Sequence, residues 1–291
     1  MQSETELIKI GTGYLDTLEY KKAIDFYTRA IEINSSNSQT FELRAIAWFK
    51  IFDIDKALSD TSTAIELDKK NHNAWFNKGE ILKYRKEYSE AELCYREADK
   101  IYPDNLFYIT GLIETTYKQK KYKETIGYCN QILKESPIDF IALNFRGLAF
   151  SKQLDYEAAI KDYLKIADIK KPNATIYNNL GFWYSKMGKL KKAYNNLSVA
   201  LQLNQTHPYA LDNLGFVEYL NGNYEKALKL IERSLEIAPS NSYAYKNRAL
   251  VYLKINQREL ALNDLQMARS LDYLEDYGNE VEELLKKEFN L

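Results

Sequence analysis

The side chains best suited to act on another molecule are asparagines. Asn77, Asn179, Asn213 and Asn247 occupy one position of a 34-residue period, and Asn144 and Asn178 occupy the position before it. A side-chain amide donates and accepts at once, so a row of them can hold the N–H and C=O groups of an extended peptide without reading its sequence. Asparagine is a poor residue for a helix interior, and a series of them inside helical segments calls for a reason. The other reason to weigh is a bond to a neighbouring helix or to water. Aromatics share the same stripe: Phe76, Phe145, Phe182, Phe216, Tyr209, Tyr219 and Tyr243. They suit either a hydrophobic peptide groove or packing between helices. Lys246 stands among them, and Lys50, Lys118, Lys152, Lys186 and Lys254 form one register line. Those five favour an acidic ligand or, at the last turn of a helix, complement its dipole.

Reaction chemistry has little to build on. The two histidines, His72 and His207, fall in turns, and no Ser/His/Asp or Cys/His set is suggested. Gly11 and Gly13 lie inside a helical segment with no strand before it, which is the wrong context for a phosphate loop. Cys94 and Cys129 read as small buried residues, and two cysteines alone make no metal site. The expectation is no catalytic residue, no metal and no cofactor.

The elements that position these residues follow from the period. Ala23, Ala57, Ala91, Ala159, Ala193, Ala227 and Ala261 keep a 34-residue beat that only Thr125 breaks. Repeats start at Glu4, Ser38, His72, Leu106, Phe140, Ala174, Pro208 and Ser242, and the eighth runs to Glu275 without insertion or deletion. Apolar residues at positions 4, 7 and 11 and again at 17, 20, 24 and 27 place two amphipathic helices, A and B, in each repeat. Small residues at 8, 20 and 27 let helix axes approach, while aromatics fill the space around them. Proline at position 32 (Pro103, Pro137, Pro239) ends the B helix. Positions 2, 5, 6, 9, 12 and 13 form a second stripe along helix A. After Glu275, residues 276–279 read as a turn, and Glu280 to Phe289 as a capping helix with Val281, Leu284 and Leu285 in its apolar stripe.

The order of these residues resembles the tetratricopeptide repeat. Trp75, Gly79, Leu82, Ala91, Tyr95, Ala98 and Pro103 show it most fully, and the resemblance covers residues 4 to 275. It implies an all-α, right-handed superhelical solenoid of antiparallel helix pairs, with helix A lining a concave groove that faces the ligand. The fourth repeat departs most, with Ile113, Thr125, Cys129 and Ile132, and should pack with altered curvature. The asparagine series resembles the ladder in the repeat region of O-linked N-acetylglucosamine transferases. With A helices roughly 10 Å apart and an extended chain advancing about 3.3 Å per residue, one amide per repeat meets about every third ligand residue. The lysine and asparagine pattern of repeats that dock heat-shock chaperone tails is missing: position 5 is lysine only at Lys246, and its position-9 partner is Leu250.

Composition narrows the partner. Forty Lys+Arg against forty-one Asp+Glu leaves no basic excess for nucleic acid. The opening residues are polar, and no run approaches the roughly 18–20 apolar residues of a membrane span. The expectation is a reducing, cytoplasmic scaffold that binds a peptide or partner protein in its groove. Asn77, Asn178, Asn179, Asn213, Asn247, Phe182, Phe216, Tyr209, Tyr243 and Lys246 are the candidate contacts. Self-association without a peptide ligand is the alternative, read from the same solenoid.

Overall fold

A helix needs its first N–H groups satisfied, and this chain supplies the acceptors at one recurring position. Ser3, Asn37, Asn71, Asn105, Asp139, Asn173 and His207 each precede an A helix, and each accepts from an N–H two or three residues on. The helix ends are equally regular. Leu18, Phe52, Lys86, Lys120, Leu154, Gly188, Gly222 and Asn256, one per repeat, take left-handed backbone angles. The next N–H then reaches back five residues, as from Glu19 to Tyr14 O (2.8 Å), Glu87 to Leu82 O (2.9 Å) and Asn223 to Glu218 O (2.9 Å). That closure ends helix A and turns the chain into helix B.

The computed structural model describes residues 2–169, 173–271 and 279–291, and every regular element among them is an α-helix. Two units result, Met1–Gln153 and Leu154–Leu291. The first holds A helices α1 (Glu4–Asp16), α3 (Ser38–Lys50), α5 (His72–Tyr84), α7 (Leu106–Lys118) and α9 (Phe140–Lys152). Its B helices are α2 (Tyr20–Ile33), α4 (Ile54–Leu67), α6 (Tyr88–Ile101) and α8 (Tyr122–Glu135). The second has A helices α11 (Ala174–Lys186), α13 (Pro208–Leu220) and α15 (Ser242–Lys254). They alternate with B helices α10 (Tyr156–Ile169), α12 (Leu190–Leu203), α14 (Tyr224–Ile237) and α16 (Arg258–Ser270), and α17 (Glu280–Phe289) follows. In both units consecutive helices pack as pairs, the architecture of a repeat solenoid. Most of the turn expected at residues 276–279, and the end of the eighth repeat, lie outside the described residues.

In several pairs, volume is traded between position 8 on helix A and position 24 on helix B. A Cβ on Gly79 would lie 2.8 Å from the Tyr95 ring, and one on Gly215 would lie 2.6 Å from Ile231 Cγ1. Tyr95 also lies against Gly111 of the following repeat, so its ring fills a slot that two glycines open. The irregular fourth repeat reverses the trade, with Ile113 at position 8 and Cys129 at position 24, both fully buried. Thr125 takes the alanine place because its hydroxyl is satisfied by Lys121 O (3.1 Å) and Thr116 Oγ1 (3.0 Å). In the second unit, Val281 and Leu285 of α17 are buried with Ala249, Ala261, Leu265 and Ala268, so α17 covers the last helix pair.

Candidate peptide-binding groove

The amide donors that the sequence assigns to a ligand backbone are taken up inside the protein. Position 6 of one A helix lies beside position 5 of the A helix before it. Asn213 Nδ2 donates to Asn178 Oδ1 and Asn247 Nδ2 to Asp212 Oδ1, each at 2.9 Å, and Asn77 Nδ2 reaches Glu42 Oε1 at 3.5 Å. Asn178 Nδ2 donates to Asn179 Oδ1 and Asn179 Nδ2 to Tyr163 Oη, both at 3.3 Å. Asn178 and Asn247 are buried, and Asn77, Asn179 and Asn213 are half-buried. A polar side chain caught in a seam between helices needs a partner, and here each finds one on the neighbouring element. The series therefore fastens one repeat to the next.

A different set of A-helix residues lines a hollow. In the second unit a hollow is lined by Lys186, Phe216, Lys246 and Leu250 of the A helices and by Glu280, Glu283, Leu284 and Lys287 of α17. The Lys246 ammonium lies 5.2 Å from the centre of the Phe216 ring, and that of Lys186 lies 5.7 Å from Phe182. Lys246 is buried, which pulls its ammonium below the ordinary lysine range; Lys186 adds to that, and the Glu280 carboxylate at 3.2 Å opposes it. Beneath, burial pushes the carboxyl of Asp212 up to about 6, against the hydrogen bond from Asn247 and the charge of Lys246. Phe216 and Lys246 line this hollow together with Glu280, which the repeat register does not mark. Its signal was the acidic face (Glu280, Glu283) opposite the Val281–Leu285 stripe.

The first unit has its own hollow, lined by Phe49, Tyr84, Tyr88 and Phe145 with Glu80, Lys83, Glu114 and Lys118. Lys83 Nζ bridges Glu80 and Glu114 at 2.9 Å each. Burial alone would lower its pKa, but the two carboxylates hold it above the usual lysine value. Tyr95 donates its hydroxyl to Glu80 Oε1, and burial together with that carboxylate raises its pKa far above the phenol range. Of the remaining candidates, Tyr209 is exposed and edge-on to His207, while Tyr243 packs on the core cluster beneath α17. Tyr243 therefore belongs to the packing of the last repeat.

Among the described residues no cluster of three or more His, Cys, Asp or Glu side chains could hold a metal ion. Cys94 and Cys129 are buried, and burial pushes the Cys94 thiol up to about 11. His72 Nδ1 meets Tyr108 Oη at 2.6 Å, and His207 caps α13 by accepting from Ala210 N–H at 3.2 Å. Among the described residues no helix is long and apolar enough to cross a membrane.

Comparison with known proteins completes the picture. Models of the tetratricopeptide repeat match residues 72–105, 172–240 and 206–273. Serine/threonine-protein phosphatase 5 of Homo sapiens is 27% identical over 191 residues, which are 64% of this chain and 36% of the phosphatase. A TPR repeat-containing protein of Methanocaldococcus jannaschii is 32% identical over 162 residues, 53% of this chain and 27% of that protein. The chain thus spans about a third of the length of the curated relatives it matches. A tetratricopeptide repeat protein from Parabacteroides merdae superposes with a TM-score of 0.72 at 17% identity, covering 86% of this chain and 98% of that one. A chain of an APC/C hetero-tetramer superposes with a TM-score of 0.62 at 16% identity, covering 93% and 52%. These likenesses establish the fold. With the helix pairs in both units, they show that the chain carries tetratricopeptide repeats.

Proposed function

We propose that the chain is an interaction scaffold whose A-helix faces bind an extended peptide or a segment of a partner protein. Proteins of this family commonly serve as protein-interaction scaffolds, and a stacked-repeat fold offers extended surface instead of an enclosed reaction site. The observation that carries the reading is a hollow in each unit where aromatic rings of the A helices stand beside lysine and glutamate side chains. Apolar floors with a few placed charges are what peptide grooves require. In this reading Phe216, Lys246, Lys186 and Leu250 contact the ligand in the second unit, and Phe49, Tyr84 and Phe145 in the first. Phe182 and Tyr209 extend the stripe. Asn77, Asn178, Asn179, Asn213 and Asn247 set the spacing of the A helices that present it.

A random peptide library displayed against the full chain, followed by titration of the selected peptides, tests this. Phe216→Ala should weaken binding of peptides selected on the second unit by roughly tenfold or more, the loss of a buried aromatic contact. Leu164→Ala on the exposed side of α10 should leave it unchanged. Asn213→Ala should lower thermal stability, since it leaves Asn178 Oδ1 without its donor. Equal affinities for the first two variants would refute the assignment of the A-helix face.

A further inference from the structure

The second unit holds one carboxylate between two lysines. Glu280 opens α17, and its Oε1 and Oε2 lie 3.5 Å from Lys186 Nζ and 3.2 Å from Lys246 Nζ. The lysines come from α11 and α15, two repeats apart, so the solenoid itself brings them together. The side chain of Lys246 is only 8% exposed. An ammonium at that depth is unfavourable unless an anion faces it. Among the described residues Asp212 is a second acidic group beside it, and that carboxylate accepts a hydrogen bond from Asn247. Lys186 and Lys246 repel each other beside the Phe216 ring and Leu250, and the Glu280 carboxylate lies between them.

Meanwhile α17 is anchored by its other side, where Val281 and Leu285 are fully buried against the last helix pair. Its attachment therefore does not depend on Glu280, whose own side chain remains 43% exposed. A carboxylate that is exposed, tethered and seated between two groove lysines behaves as an internal ligand.

We propose that Lys186, Lys246 and Phe216 form a binding site for an acidic side chain of an extended peptide with an apolar neighbour, and that Glu280 fills this site as a tethered competitor. The inference rests on the groove reading above and names the chemistry of its ligand. A peptide carboxylate reproduces both lysine contacts of Glu280, while its apolar neighbour meets Phe216 and Leu250. Because the two carboxylates exchange like for like, apparent affinity is the intrinsic affinity scaled by the fraction of molecules in which Glu280 is released.

Fluorescence polarisation on the full chain decides it, with labelled Gly-Glu-Leu-Glu-Phe-Gly as probe and the same peptide with Gln for Glu as control. Glu280→Gln should bind the acidic probe about tenfold more tightly than the unaltered chain, because the competitor has lost its charge. Adding Lys246→Met should abolish the gain, and the Gln peptide should show none. No gain in Glu280→Gln, no binding to either protein, or an equal gain for the control would overturn the proposal. Those results leave the broader groove reading standing as long as library-selected peptides still lose affinity on Phe216→Ala. An amine-reactive reagent gives a ligand-free check: Lys246 should label faster in Glu280→Gln, and unchanged labelling contradicts the internal-ligand role.

Discussion

Asp212 carries the sharpest consequence at the residue scale. It is buried in α13, accepts from Asn247 of α15, and has its carboxyl raised to about 6 chiefly by burial. The folded chain therefore holds this proton more tightly than the unfolded chain does. Its contribution to stability is full below the ordinary aspartate pKa near 3.8 and is lost as pH rises through about 6. The loss amounts to at most about 3 kcal/mol between those limits. Asp212→Asn keeps an acceptor for the Asn247 amide and removes the titration. The urea midpoint of the unaltered chain should fall relative to the variant between pH 5 and pH 7.5; parallel curves would contradict this. Such a pair was only half legible beforehand. The Asn positions stood out by their period, but their partners at Glu42, Asn178 and Asp212 lie 35 residues back, and nothing local marks that seam. Glu280 was hidden for the same reason, since its lysines come from two different repeats.

At the scale of the element, the helices were legible because their signals are local. Side-chain caps recur before seven of the eight A helices, and apolar residues recur at spacings of three and four. The fourth repeat looked irregular position by position, yet it keeps its volume by placing Ile113 and Cys129 where other repeats place glycine and a large side chain. What periodicity did not show was the left-handed residue after each A helix, because its identity varies from Leu18 to Lys86 to Gly222. Side chains with a Cβ are strained there, and glycine is not. Lys86 is exposed, with φ at +64°, so Lys86→Gly should stabilise the chain by about 0.5–1 kcal/mol. Urea denaturation measures it, and a lower midpoint in the variant would show that the turn tolerates lysine without strain.

At the scale of the whole molecule, the chain offers two units of stacked helix pairs, each with an A-helix hollow that mixes aromatic and charged groups. The division of labour is the main lesson. Glycines and alanines set how close helices come, asparagines fasten neighbouring A helices, and in the proposed function the rings and lysines lining the hollows contact a partner. Hydroxyl-radical footprinting of the full chain, with and without a library-selected peptide bound to the second unit, tests that division most directly. The account predicts protection of Phe182, Phe216 and Leu250 on the A helices, with Leu164, Leu260 and Met267 of the B helices as reactive as before. Protection of Leu164, Leu260 or Met267 with Phe216 and Leu250 unchanged would contradict it.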